Sequence, residues 1–329
     1  MAAPQVKVGV FVPQGWRMDL VDVRDPVEKY ETMSRCALEA ERAAYDAIWL
    51  FDHFHTVPEP HIESVFECWT SMAALARDTS TIRLGQMVTC NSYRPPSLLA
   101  KMASSVDVMS HGRLILGIGA GWYDHEYRAY GYEYPETPER LRMLRESLQV
   151  IKAMWSEDEA TFEGQYYRVR GAINEPKPVQ KPHPPIWIGG GGEKVTLKLV
   201  AQYGDACNVG GDLATIRHKL EVLRQHCETV GRDYDSVLKT MELYAVFGDR
   251  QEVDRVVADH ARRTRKDEAF IRTWYPHHGD AEQIADQIGE YAAAGIQYFI
   301  LNVPNAFEGG VIGRFANEVF PKLGLQVAS

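Results

Sequence analysis

The stretch PIWIGGGGEKVTLKLVAQYGDACNVG (Pro185–Gly210) holds an apolar β run, four consecutive glycines, a helical segment and a second β run. A strand joined through a helix to the next strand is a βα unit, and such crossovers build parallel sheets. The same alternation extends along the chain in both directions. Further runs are VKVGVFV from Val6, AIWLF from Ala47, TIRLGQMV from Thr81, RLILGIG from Arg113, KTMELYAVF from Lys239 and YFILNV from Tyr298. With PIWIG and ACNVG they make eight, the number that closes a barrel, so the expected fold is α/β, a (β/α)8 TIM barrel.

The segments between the runs carry helix signals. DPVE at Asp25–Glu28 supplies an N-cap, a first-turn proline and an acid at the capping-box position, and Met33, Ala37, Ala40 and Ala44 form an inward stripe. TPER from Thr137 starts a second helix, with Leu141, Leu144, Leu148 and Ile151 spaced by three and four. Asp280 caps a third that turns Ile284 and Ile288 inward and stops at Gly295. One stretch breaks the rhythm: 156–185, with a short hairpin at Phe162–Val169 and a proline-rich connection, reads as an insertion between strands four and five near the barrel mouth. No repeat or interdomain linker interrupts the rest, so 1–329 is expected to be a single domain.

Composition narrows the function. With 45% apolar and 25% charged residues the chain can bury a large core. Its net charge of -9 argues against a general nucleic-acid binder, which needs a basic face. RRTRK at Arg262–Lys266 reads as a solvated helix face. The opening MAAPQVKVGVFV has no basic leader and too short an apolar stretch for a signal or membrane segment, so a cytoplasmic protein is expected. Five cysteines without a C-x-x-C pair suit reduced intracellular thiols, Cys90 differing from the others in ending a strand among polar residues.

In a barrel the working face lies at the C-terminal ends of the strands. Strand one delivers Pro13, Gln14 and Trp16 there, strand two Asp52, His53 and His55, and strand three Thr89, Cys90, Asn91, Tyr93 and Arg94. GIGAGW at Gly117–Trp122 matches a dinucleotide fingerprint imperfectly. Its glycines let backbone approach a flat ring, and Trp122 can wall one; tight rim packing is the structural alternative. Gly189–Gly192 expose successive N–H groups before the helix EKVTLKLVAQYG, an arrangement suited to a phosphate or carboxylate.

FDHFH at Phe51–His55 invites a metal reading, that of a barrel hydrolase using His53 and His55. The later strand ends offer only Asn208, Asn302 and Asn305, which are poor ligands, so no metal is expected. The reading that survives has His53 handling a proton at the rim, with Asp52 fixing its tautomer or capping the loop; a structural rim histidine is the alternative. His55 and His61 are loop residues.

The order of these motifs resembles the luciferase-like monooxygenase superfamily, specifically its actinobacterial branch that uses the deazaflavin coenzyme F420. It rests on VGVFVPQG, AIWLFDHF, the long segment LGQMVTCNSYRPPSLLAKMASSVDVMSHGRLILGIGAGWYDHEY, the segment INEPKPVQKPHPPIWIGGGGEKVTLKLVAQYGDACNVGG, and GIQYFILN. The resemblance implies a ring lying at the C-terminal strand ends and a non-proline cis peptide at Met87–Val88 beneath it. It also implies Thr89, Asn91 and Gly119, Ala120, Gly121 and Trp122 around the ring, and the cofactor phosphate on Gly189, Gly190, Gly191 and Gly192. Asp52 and His53 match the family's Asp-His pair, whose histidine is proposed as the base in its sugar-phosphate dehydrogenases. Trp122 stands where those enzymes carry a glutamate as the acid, and Glu126 follows one helical turn later.

The function expected on this basis is an F420-dependent oxidoreductase acting on a small-molecule substrate, with FMN and an FMN-dependent monooxygenase as the alternative cofactor and reaction. A homodimer is implied only because family members are often dimers.

Overall fold

A computed structural model describes residues 6–326. All eight expected runs form strands: β1 (Lys7–Phe11), β2 (Ala47–Leu50), β3 (Arg83–Gln86), β4 (Leu114–Gly119), β5 (Ile186–Gly189), β6 (Ala206–Asn208), β7 (Leu238–Phe247) and β8 (Tyr298–Asn302). Every residue of β2, β4 and β8 is buried, as expected of parallel strands covered on both faces.

The chain falls into two compact units. The first holds residues up to Glu67, Val209–Leu220 and the chain from Lys239 onward; the second holds Cys68–Asn208 and Glu221–Leu238. Within the first, the order is β7-β8-β1-β2, all parallel, with Lys7 opposite Tyr298, Val10 opposite Ile48 and Tyr244 opposite Asn302. Within the second the order is β3-β4-β5-β6, again parallel, with Leu84 opposite Leu114, Ile118 opposite Ile188 and Gly189 opposite Asn208.

The helices follow from local chemistry. Asp25 accepts the N–H of Glu28 at the start of Pro26–Arg42, and Met33, Ala37 and Ala40 are fully buried. Ala44 departs from the expected stripe: the helix ends at Arg42, and Ala44 is exposed beyond it at φ 61°. Thr137 opens its helix as the first residue rather than the cap, and buries Leu144, Leu148 and Ile151. Asp280 forms a complete capping box with Gln283, and Gly295 turns the chain afterwards at φ 112°.

The expected hairpin is present as two antiparallel strands, Ala160–Glu163 and Arg168–Ala172. The buried Glu146 carboxylate holds its tip by accepting the N–H groups of Gln165, Tyr166 and Tyr167. RRTRK is not uniformly solvated. Arg262 pairs with Asp22 at the surface, but Arg263 is buried, donates to the Pro304 carbonyl and lies over the Phe307 ring. Its neighbour Thr264 is buried as well, because this turn of the helix packs inward. All five cysteines are buried free thiols, and among the described residues no helix is long and apolar enough to cross a membrane.

Candidate active site

In the first unit the chain leaves β2 at Leu50 and is pinned at once by Gln14. The Gln14 side chain accepts the Phe51 N–H at 2.8 Å and donates to the carbonyls of Phe51 at 2.8 Å and Phe66 at 2.6 Å. Three bonds from one buried amide fix the backbone that presents Asp52 and His53. Below it Phe51 stacks on Phe11 with ring centroids 4.0 Å apart.

Asp52 is buried and His53 half-buried. The His53 ring lies on the Trp16 indole, centroids 4.3 Å apart and planes 3° from parallel. The stack fixes the plane of the imidazole. Among the described residues no group of three or more His, Cys, Asp or Glu side chains is placed to hold a metal ion.

The other face of interest on this unit surrounds Arg17. Its guanidinium carbon lies 4.9 Å from the Trp16 ring centre, 4.5 Å from Tyr244 and 4.7 Å from Trp274. Asp19 turns back to accept the N–H groups of Gly15 at 2.7 Å and Gln14 at 3.3 Å, closing the loop that carries Trp16 and Arg17. Burial raises the Asp19 carboxyl pKa, opposed by these N–H groups and by Arg263. Burial likewise pushes the Tyr275 hydroxyl up to about 12 despite Arg17 beside it, so it is an intact hydroxyl at neutral pH. Trp16 was visible in the sequence as a strand-end residue; the Arg17 cage was not, since Tyr244 and Trp274 lie more than two hundred positions after Arg17.

In the second unit the peptide between Met87 and Val88 is cis. Val88 is held between two glycines: a Cβ on Gly119 would sit 2.6 Å from its Cγ2, and one on Gly189 2.6 Å from its Cγ1. At Gly117 a Cβ would meet the Gln86 carbonyl at 1.6 Å, so that strand position excludes any side chain. The glycines of β4 and β5 thus serve the close seating of the 86–88 backbone.

The remaining expected residues divide. Met87 is buried, and Thr89 is fully buried with its hydroxyl accepting the Trp69 indole N–H at 3.0 Å, so it backs the surface rather than offering its oxygen. Asn91 is buried, donates to the Tyr167 hydroxyl at 3.4 Å and has an Oδ1 without a partner. Ala120 and Gly121 are half-buried and Trp122 is exposed, stacked on Tyr123. Gly121 is at φ 80°, and a Cβ there would strike the Tyr127 hydroxyl and the Cys90 thiol, themselves 3.0 Å apart. Cys90 therefore packs beneath the 119–122 turn, paired with Tyr127.

Glu126 is fully buried and accepts the Tyr93 hydroxyl at 2.6 Å, so it presents no open acid to replace the one absent at Trp122. Around Gly189–Gly192 the helix begins at Thr196, later than expected, because 193–195 form a turn. The Gly190 N–H is committed to the Asn208 carbonyl at 3.2 Å. Gly191 is half-buried and Gly192 exposed.

Comparison with known proteins gives this geometry its setting. The family model for luciferase-like monooxygenases matches residues 6–288, and the chain belongs to that family. It is 28% identical over 315 residues to an F420-dependent glucose-6-phosphate dehydrogenase of Amycolatopsis mediterranei, covering 87% of this chain and 92% of that one. An enzyme of the same name from Kineococcus radiotolerans is 29% identical over 319 residues, covering 87% and 91%. Among solved structures, an F420-dependent secondary alcohol dehydrogenase superposes with a TM-score of 0.80 at 22% identity, covering 97% of this chain and 99% of that one. These likenesses carry the fold class, a (β/α)8 TIM barrel.

Proposed function

We propose that this chain is a coenzyme F420-dependent oxidoreductase that moves a hydride between the deazaflavin and a small organic substrate. The observation that carries the reading is the half-buried Val88 side chain seated between Gly119 and Gly189, which carry no side chains of their own and so leave the valine as an apolar face for a flat ring. Three residues after Val88, Asn91 Oδ1 is a buried acceptor without a partner, as expected where a polar ring edge would bind. The curated relatives named F420-dependent favour this cofactor over FMN.

The residues of the second unit would hold the group: Val88 beneath the ring, Asn91 at its edge, the 119–122 backbone beside it, and Gly191 and Gly192 at its phosphate. When bound, the coenzyme supplies the hydride acceptor or donor. The protein's own work is positioning and proton handling. His53 takes the proton from a substrate hydroxyl, or returns it to a carbonyl oxygen, at a ring-edge nitrogen. Trp16 fixes the plane of that ring, Gln14 fixes the backbone before it, and Asp52 orients it.

The test is turnover with F420 across primary and secondary alcohols and the matching aldehydes and ketones, followed through the deazaflavin absorbance. The expected result is saturable turnover of some member, lost at least a hundredfold in His53→Ala with cofactor affinity within about threefold of wild type. Undiminished turnover in His53→Ala would remove the histidine from the chemistry.

A further inference from the structure

Arg17 is an arginine without an acid. Elsewhere on this unit the pattern is pairing: Arg262 with Asp22, Arg255 with Glu308, Arg314 with Glu252. Arg17 is half-buried and, among the described residues, has no carboxylate within ion-pair distance. Its flanks are the faces of Trp16, Tyr244 and Trp274, which attract a cation but cannot accept in-plane N–H bonds. The Tyr275 hydroxyl donates its own proton to Asn302 Oδ1 at 3.4 Å. The Arg17 Nε is buried without a partner. Glu242, the acid that acts on Arg17 from a distance, accepts the Tyr244 hydroxyl.

A guanidinium presents its donors in a plane, as a fork matched to a planar anion. Aromatic walls hold that plane and keep water from its flanks, which strengthens a charge-assisted bond made in the plane. The location suits a substrate: the Trp16 ring that touches Arg17 is the one on which His53 lies. Tyr244 stands in register with Asn302, the last residue of β8, so the cage is at the C-terminal ends of the strands. An acidic protein of net charge -9 needs such a local cation to gather an anion.

We infer that Arg17 is a specificity-determining residue that binds an acid group of the substrate, so that the molecule turned over beside His53 is an organic anion, a carboxylate or a phosphate ester. The inference rests on the oxidoreductase reading for the word substrate, but the anion site itself stands on the cage.

The experiment uses cofactor-free protein and the fluorescence of Trp16 and Trp274, with benzoate, its neutral isostere benzamide, and phenyl phosphate as probes. Wild type should bind benzoate or phenyl phosphate saturably and roughly tenfold or more tightly than benzamide, given what a hydrogen-bonded charge contributes. The tighter of the two anions names the acid class. Arg17→Met, which keeps an unbranched apolar stem, should abolish the preference, and Arg17→Lys should keep part of it. Arg17→Gln serves as a second charge-free variant should the methionine protein fail to fold. Equal binding of benzoate, phenyl phosphate and benzamide, no saturable binding of either anion by wild type, or a preference that survives loss of the charge would overturn the inference. Because no cofactor is present, its failure is separate from a failure to bind F420.

Discussion

The His53 imidazole and the Trp16 indole lie face to face, 3° from parallel at 4.3 Å. An aromatic pair of this kind contributes about 0.5–1.5 kcal/mol beyond its buried area. Trp16→Leu removes it and frees the imidazole to rotate. Turnover should fall by roughly threefold to tenfold, with cofactor affinity unchanged. Trp16→Phe, which keeps a ring beneath His53, should recover most of the loss in a steady-state comparison of the two variants.

The contact between Val88 and Gly119 predicts a rescue. Gly119→Ala places a methyl 2.6 Å from Val88 Cγ2, and overpacking of that kind costs about 1–3 kcal/mol. Val88→Ala in the same chain vacates the space, so the double variant should be more stable than Gly119→Ala alone. Chemical denaturation of the four proteins checks it; strictly additive losses would show that Val88 is not what the new methyl meets.

Gln14 predicts a large loss from one buried amide. Gln14→Leu leaves the Phe51 N–H and two carbonyls without partners, at about 1–3 kcal/mol for each buried group left unpaired. Urea denaturation should show a loss of roughly 3 kcal/mol or more, with turnover reduced in the folded fraction because the backbone before His53 is no longer fixed.

His260 predicts acid sensitivity. Burial, with Arg263 and Arg17 nearby, lowers its pKa from 6.5 to about 3. The unfolded chain therefore binds a proton that the folded chain does not between those values. The stability associated with the neutral ring is fully present above about pH 6.5 and is lost as pH falls toward 3, with a slope of at most about 1.4 kcal/mol per pH unit. His260→Leu should flatten the dependence between pH 6.5 and 5, above the range in which most carboxylates titrate. Identical slopes in both proteins would remove His260 as the cause.

The strands and helix caps were legible because both are written locally. Eight β-branched or aromatic runs carry the strands, and Asp25 and Asp280 lie within three residues of the N–H groups they accept. What local pattern misses is commitment. Thr89 looks available at a strand end, but its hydroxyl belongs to Trp69, twenty residues earlier. Gly190 resembles its neighbours, but its N–H belongs to Asn208. Arg263 reads as one of a solvated basic run, but its turn of the helix faces inward to Pro304. The Arg17 cage unites residues 17, 244 and 274, and no spacing rule connects them.

The most direct measurement is equilibrium titration of the purified protein with F420 and, separately, with FMN, followed by fluorescence. The account predicts saturable F420 binding, weakened by Gly119→Ala and unaffected by His53→Ala, with FMN bound far more weakly. Tight FMN binding without F420 binding would contradict it and make the chain a flavin-dependent monooxygenase instead.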